Sequence, residues 1–92
     1  MTKSDLTDRI SERIGTLTRK QTEIVVETVF ETMKEAFLKG EKIEIRGFGN
    51  FRLKTRRPRI ARNPKTGVKV EVPGKKVLHF KVGKALRDAM NA

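Results

Sequence analysis

The sequence predicts an α+β domain: two N-terminal helices, a three-stranded antiparallel sheet carrying a long β-ribbon arm, and a short C-terminal helix. Three observations carry that prediction. Apolar residues recur at helical spacing up to Gly40. They alternate with polar ones from Lys42 onward. A basic stretch from Arg52 to Lys76 folds back on itself at Asn63-Pro64-Lys65-Thr66-Gly67.

The first helix is signalled by Leu6, Ile10 and Ile14 at intervals of four, with Thr2 or Ser4 as its cap and Gly15 as its end. Leu17 then serves as a staple residue, and Thr18-Arg19-Lys20-Gln21 has the capping-box pattern of a second helix start. That helix should run to about Lys39 and stop at Gly40. Its apolar stripe is Val26, Val29, Phe30, Met33, Ala36 and Phe37, with Val25 on the flank.

Lys42-Ile43-Glu44-Ile45-Arg46 alternates strictly, so the isoleucines share one face and Glu44 and Arg46 the other. Gly47-Phe48-Gly49-Asn50 reads as a turn, and Phe51-Arg52-Leu53-Lys54 resumes the alternation with Phe51 and Leu53 turned inward. Beyond the arm, Val77-Leu78-His79-Phe80 returns as a third strand. The last helix spans Lys84 to about Met90 after Val82-Gly83, with Ala85, Leu86 and Ala89 inward. Met33 and Met90 read as core filler, and Phe48, Phe51 and Phe80 as core rather than base-stacking platforms.

Five phenylalanines are the only aromatics, and the first helix has too little apolar surface to cover the stripe of the second. A 92-residue chain that spends much of its length on a solvated arm is expected to complete its core by self-association, most simply as a twofold dimer.

Charge narrows the function. The net charge is +11, yet residues 1–45 hold eight bases and nine acids, whereas residues 46–92 hold fourteen bases and two acids. A positive field confined to one half points to nucleic acid or an anionic membrane surface. The membrane reading needs a cationic amphipathic helix, but the charge lies on the ribbon, and the long helix carries Glu23, Glu27, Glu31 and Glu35.

No cysteine is present, so disulfides and thiolate metal sites are excluded. His79 is the sole histidine and reads as a polar strand residue rather than a metal ligand; no cofactor is expected. Neither a catalytic constellation nor a phosphate loop is visible, so an enzyme is not expected. No apolar run reaches the ~20 residues of a membrane span. The N-terminus lacks a signal-peptide core, and a cytoplasmic location is expected.

The arm itself carries ten Lys/Arg and one acid, Glu71, between Arg52 and Lys76. Val68, Val70 and Val72 alternate with Lys69 and Glu71 on its return side, and Pro64 stands at its tip. A charge run is ordinarily a solvated face, but this density of like charge around an apolar tip favours a polyanion as partner. An RNA-binding or ribosome-associated role is the alternative. Single-strand readers, however, expose aromatic side chains, and this chain has no Trp or Tyr.

Gly47-Phe48-Gly49-Asn50-Phe51, Arg62-Asn63-Pro64-Lys65-Thr66-Gly67 and Phe80-Lys81-Val82-Gly83-Lys84 together resemble the HU/integration host factor family of bacterial DNA-bending proteins. The likeness covers essentially the whole chain. Met1-Thr2-Lys3-Ser4-Asp5-Leu6 and Gly40-Glu41-Lys42-Ile43-Glu44-Ile45-Arg46-Gly47 look most like the family's beta-type subunits. Departures from the pattern are Ile60-Ala61, where members commonly carry Thr-Gly, and Val82, where a proline is usual.

The resemblance implies a single domain over residues 1–92 that forms an intertwined dimer and acts in the nucleoid. Its parts would be a helical dimerisation base at about 1–40, a β-saddle at about 41–54 and 75–81, a DNA-binding arm at about 55–74 and a C-terminal helix at about 83–91. The partner would be double-stranded DNA, bent for chromosome organisation, recombination, replication and transcription. The second subunit would be either another copy or an alpha-type chain, and no small-molecule substrate is implied.

In that reading Pro64 intercalates, being rigid, apolar and without an N–H to leave unpaired. Arg56, Arg57, Arg59, Arg62, Asn63, Lys65 and Lys69 line the arm, with Arg52 and Lys54 on the strand leading to it. Lys75, Lys76 and Lys81 meet flanking phosphates. Glu44 and Arg46 either give sequence preference, the carboxylate holding the guanidinium at base edges, or form a plain surface ion pair. Lys3 and Lys84 sit at helix starts, where a bound phosphate would offset the unfavourable cation–dipole contact. Dimer and core contacts fall to Val26, Val29, Phe30, Met33, Phe37, Ile43, Ile45, Phe48, Phe51 and Phe80.

Overall fold

The computed structural model describes Met1–Ala92, with helices α1 (Lys3–Arg13), α2 (Arg19–Leu38) and α3 (Lys84–Met90). Its strands are β1 (Ile43–Ile45), β2 (Gly49–Arg56), β3 (Arg59–Arg62), β4 (Lys69–Val72) and β5 (Lys75–Val82). The α+β architecture is the expected one. Two compact units emerge, Met1–Glu35 and Ala36–Ala92.

In the first unit both helix starts are closed by reciprocal caps. The Asp5 N–H donates to Thr2 Oγ1 (3.2 Å) and the Thr2 N–H to the Asp5 carboxylate (2.9 Å). The backbone bond, then the hydroxyl contact, holds the Asp5 carboxyl below its ordinary range. Thr18 and Gln21 repeat the arrangement before α2, at 3.1 and 2.9 Å. Each cap stabilises its helix by about 1 kcal/mol.

Thr7 and Thr22 are buried, and their hydroxyls donate back to the Lys3 and Thr18 carbonyls at 2.9 and 3.0 Å. No polar atom is orphaned by their burial. Arg19 spans Asp8 (2.8 Å) and Glu23 (3.1 Å), and Lys3 reaches Glu27 at 3.7 Å. These pairs are half exposed, so solvent and salt screen them and they add little to stability.

The apolar stripe of α2 is not closed over. Val26 is the one fully buried apolar residue of the chain, whereas Val29 and Phe30 stay 51% and 43% exposed and Met33 is half-buried. Ile24, which the stripe reading omitted, is also exposed.

In the second unit α2 ends as expected: the Gly40 N–H returns to the Phe37 carbonyl (3.0 Å) and the Glu41 N–H to Ala36 (2.9 Å). The sheet order is β1-β2-β5, antiparallel throughout, with Ile43 opposite Phe51, Phe51 opposite Phe80 and Leu53 opposite Leu78. Phe51 packs against Phe80 (centroids 4.7 Å) and Phe37 (5.8 Å), and Phe48 against Phe80 (5.6 Å). Four of the five phenylalanines, Phe37, Phe48, Phe51 and Phe80, therefore form one cluster of mutually tilted rings. Phe48 and Phe80 nevertheless remain partly open in a single chain.

Met90 corrects the sequence reading. It lies in the last turn of a seven-residue helix and is 71% exposed, so it fills no core within the chain. Of α3 only Leu86 is half-buried; Ala85 and Ala89 are exposed.

The arm is a separate two-stranded sheet, β3 with β4. Pairing of β2 with β5 runs to Arg56 opposite Lys75 and stops, then resumes at Arg59 opposite Val72. Pro58 on the way out and Pro73 on the way back occupy the gap, and a proline supplies no N–H to a ladder.

Gly49 is the tightest backbone position of the sheet. A Cβ there would stand 2.5 Å from the Lys81 carbonyl oxygen and 2.6 Å from the Phe80 ring. Gly49→Ala must push β5 aside and is expected to destabilise the fold by about 1–3 kcal/mol, read as a lowered midpoint in urea unfolding.

Candidate nucleic-acid interface

The β2–β5 register sorts the sheet into two faces. Phe51, Leu53, Leu78 and Phe80 take one of them. Asn50 opposite Lys81, Arg52 opposite His79, Lys54 opposite Val77 and Arg56 opposite Lys75 take the other, with Glu44 opposite Asn50 extending it onto β1. Arg52, Lys54, Arg56, Lys75 and Lys81 thus share one surface. Lys76 does not: it lies opposite Thr55, two residues before Leu78, and belongs to the aromatic side.

Glu44 and Arg46 are not partnered as expected. Strand β1 ends at Ile45, and Arg46 opens the turn that the Phe48 N–H closes on the Ile45 carbonyl at 3.0 Å. Glu44 instead holds Lys42, Nζ to Oε1 2.7 Å. The hydrogen bond from Lys42, and then its charge, hold the Glu44 carboxyl below its ordinary range. In the sequence Lys42 and Arg46 stand alike, two residues from Glu44, and alternation marks neither as the preferred partner.

The arm sorts its side chains too. Arg59, Ala61, Val70 and Val72 occupy one face, and Ile60, Arg62, Lys69 and Glu71 the other. Arg57 stands in the gap between the ladders. At the tip the Asn63 side chain accepts the Lys65 N–H at 2.9 Å, and its carbonyl accepts the Gly67 N–H at 2.8 Å. The Asn63 N–H donates to the Val68 carbonyl at 2.9 Å, and Gly67 has φ +71°, the left-handed value glycine adopts without steric cost. Pro64 is held exposed at the apex by these bonds.

Lys3 and Lys84 are the first residues of α1 and α3, each within its own unit. Lys3 already has Glu27 as partner, so a phosphate would compete with that carboxylate. His79 stands on the cationic face opposite Arg52. That neighbourhood repels a metal ion, and nothing there resembles a ligand set. Chemically, the two ladders offer fixed rows of cations and one rigid apolar point.

The Lys42 contact predicts a pH effect of definite sign. A depressed carboxylate stabilises the fold above its ordinary range, and that contribution is lost as pH falls through the depressed midpoint. Lys42→Gln should move the Glu44 midpoint upward in a carbon-detected NMR titration.

Comparison with known proteins adds a consistent set of likenesses. The profile of the family described as "Bacterial DNA-binding protein" matches residues 1–91. The integration host factor subunit beta of Saccharophagus degradans is 55% identical over 91 residues, covering 99% of this chain and 93% of that one. The corresponding subunit of Stutzerimonas stutzeri is 53% identical over 91 residues, covering 99% and 98%. Among solved structures, an Anabaena HU–DNA cocrystal superposes with a TM-score of 0.82 at 38% identity, covering 98% of this chain and 97% of that one.

Proposed function

The chain belongs to the bacterial DNA-binding protein family, and from that membership we propose that it is an architectural protein that binds and bends double-stranded DNA. The observation that carries this reading is the cationic surface formed by the polar sheet face and the arm, ending at an exposed, hydrogen-bond-braced Pro64.

In this mechanism Arg52, Lys54, Arg56, Lys75 and Lys81 neutralise phosphates along the sheet, and each contact releases counterions. Arg57 and Lys76 contribute charge at the arm base. Arg59, Arg62, Lys65 and Lys69 carry the arm along the minor groove, with Asn63 bracing the tip. Pro64 enters a base step; loss of stacking there is offset by the additional protein surface that bent DNA meets. Arg46, free of Glu44, is available to a base edge or phosphate from its turn. Lys3 and Lys84 add phosphate contacts at helix starts.

Partners are duplex DNA and a second subunit, either another copy or an alpha-type chain. The uncovered Val29, Phe30, Phe48 and Phe80 support that second subunit, because one chain leaves them in water. The same stacking of phenylalanines disfavours the RNA alternative, since it uses the rings that a single-strand reader would present to bases. No helix is long and apolar enough to cross a membrane. Residence on the nucleoid follows from the DNA-binding role, which calls for no catalytic group.

Arg62→Gln with Lys69→Gln should flatten the slope of log affinity against log salt by about 2 per chain. Pro64→Ala should keep binding yet lose much of the bend, read by end-labelled FRET on a ~40-base-pair duplex. Binding with an unchanged bend angle in that variant would overturn the wedge mechanism. The melting temperature of the free protein should rise with its concentration, as mass action requires of a fold completed by a second subunit.

A further inference from the structure

The sheet register assigns His79 a position that its sequence context conceals. Phe51 opposite Phe80 and Leu53 opposite Leu78 define the apolar side, where the two rings pack with centroids 4.7 Å apart. His79, one residue before Phe80, therefore lies on the other side, directly opposite Arg52. It is half-buried in the middle of the cationic surface. On β2 its neighbours along that face are Asn50 and Lys54; on its own strand they are Val77 and Lys81. Glu44 on β1 is the acid nearest in the pattern, two strands away, and is engaged by Lys42.

A protonated imidazole opposite Arg52 adds a cation to a row of cations, and like charges directly across a ladder repel. A phosphate lying over the Arg52–His79 row offsets that repulsion, because it attracts the imidazolium and accepts its N–H. Resting on the DNA-bending reading above, we propose that His79 is a phosphate-contacting residue of this surface that takes up a proton from solvent when duplex DNA binds. The affinity of the protein for DNA then rises as pH falls.

Histidine is the side chain whose charge ordinarily changes near neutral pH, and this chain has one. The other charged groups on the face are lysines, arginines and Glu44, which keep their charge through that range.

The test measures affinity for a ~40-base-pair duplex at about pH 6 and pH 8, at constant salt, with bending followed by FRET. Wild type is expected to bind about three- to tenfold more tightly at the lower pH, the scale of about a quarter to a half of a linked proton averaged over those two pH units. His79→Gln keeps hydrogen-bonding capacity without the charge, and should lose the gain in affinity between pH 8 and pH 6. His79→Lys, a permanent cation, should bind at pH 8 as tightly as wild type does at pH 6, with a flat profile.

A pH dependence that survives unchanged in both variants overturns the inference and leaves the bending function standing. Wild type that binds and bends with no pH dependence at all overturns it equally. Wild type that engages no duplex at either pH removes the reading on which it rests.

Discussion

The eight-residue antiparallel pairing of β2 with β5 is the constraint on which the DNA side of this protein depends. Because side chains alternate, one register decides both what is stacked beneath the sheet and what is offered above it. A slip of a single residue would turn Phe51 and Leu53 outward and bury Arg52 and Lys54. The aromatic cluster and the tight passage at Gly49 oppose that slip, since Phe80 fits only where no Cβ projects. Apolar packing thus fixes the geometry of the charged surface.

The opposite problem is the charge itself. A half-chain with fourteen bases and two acids repels itself. The fold distributes that load by hydrogen-bonding its cations' backbone into ladders while leaving the side chains on outer faces. The acids are gathered elsewhere: Asp8, Glu23 and Glu27 are occupied by Arg19 and Lys3 within the helical unit. A surface so biased keeps its attraction for phosphates because its own carboxylates do not neutralise it.

Much of this was legible from residues in order. Thr18 with Gln21, Gly40 after α2 and Gly67 at the tip each have local chemistry that allows one structure, and each formed as read. The two-sided sheet followed from alternation. What alternation could not supply was the choice between neighbours: Glu44 has Lys42 and Arg46 at equal sequence distance, each one residue outside β1, and the pair forms with Lys42 while Arg46 enters the turn. Lys76 was grouped with Lys75 by charge, yet adjacent strand residues point oppositely. Met90 has the composition of a core residue but occupies the end of a helix too short to hold it. His79 reads from sequence as a polar strand residue, but its place opposite Arg52 comes only with the register.

The interruption between the two ladders has a mechanical meaning. Pro58 and Pro73 fall at nearly the same level of the ribbon, so both strands lose a donor where the saddle ends and the arm begins. A continuous ladder would transmit any tug on the tip into the sheet as shear. Here the arm is joined by two unladdered strands, a compliant joint between stiff plates. A bend of the arm at that joint would break no ladder bond, whereas the same bend made within either ladder would disturb its register.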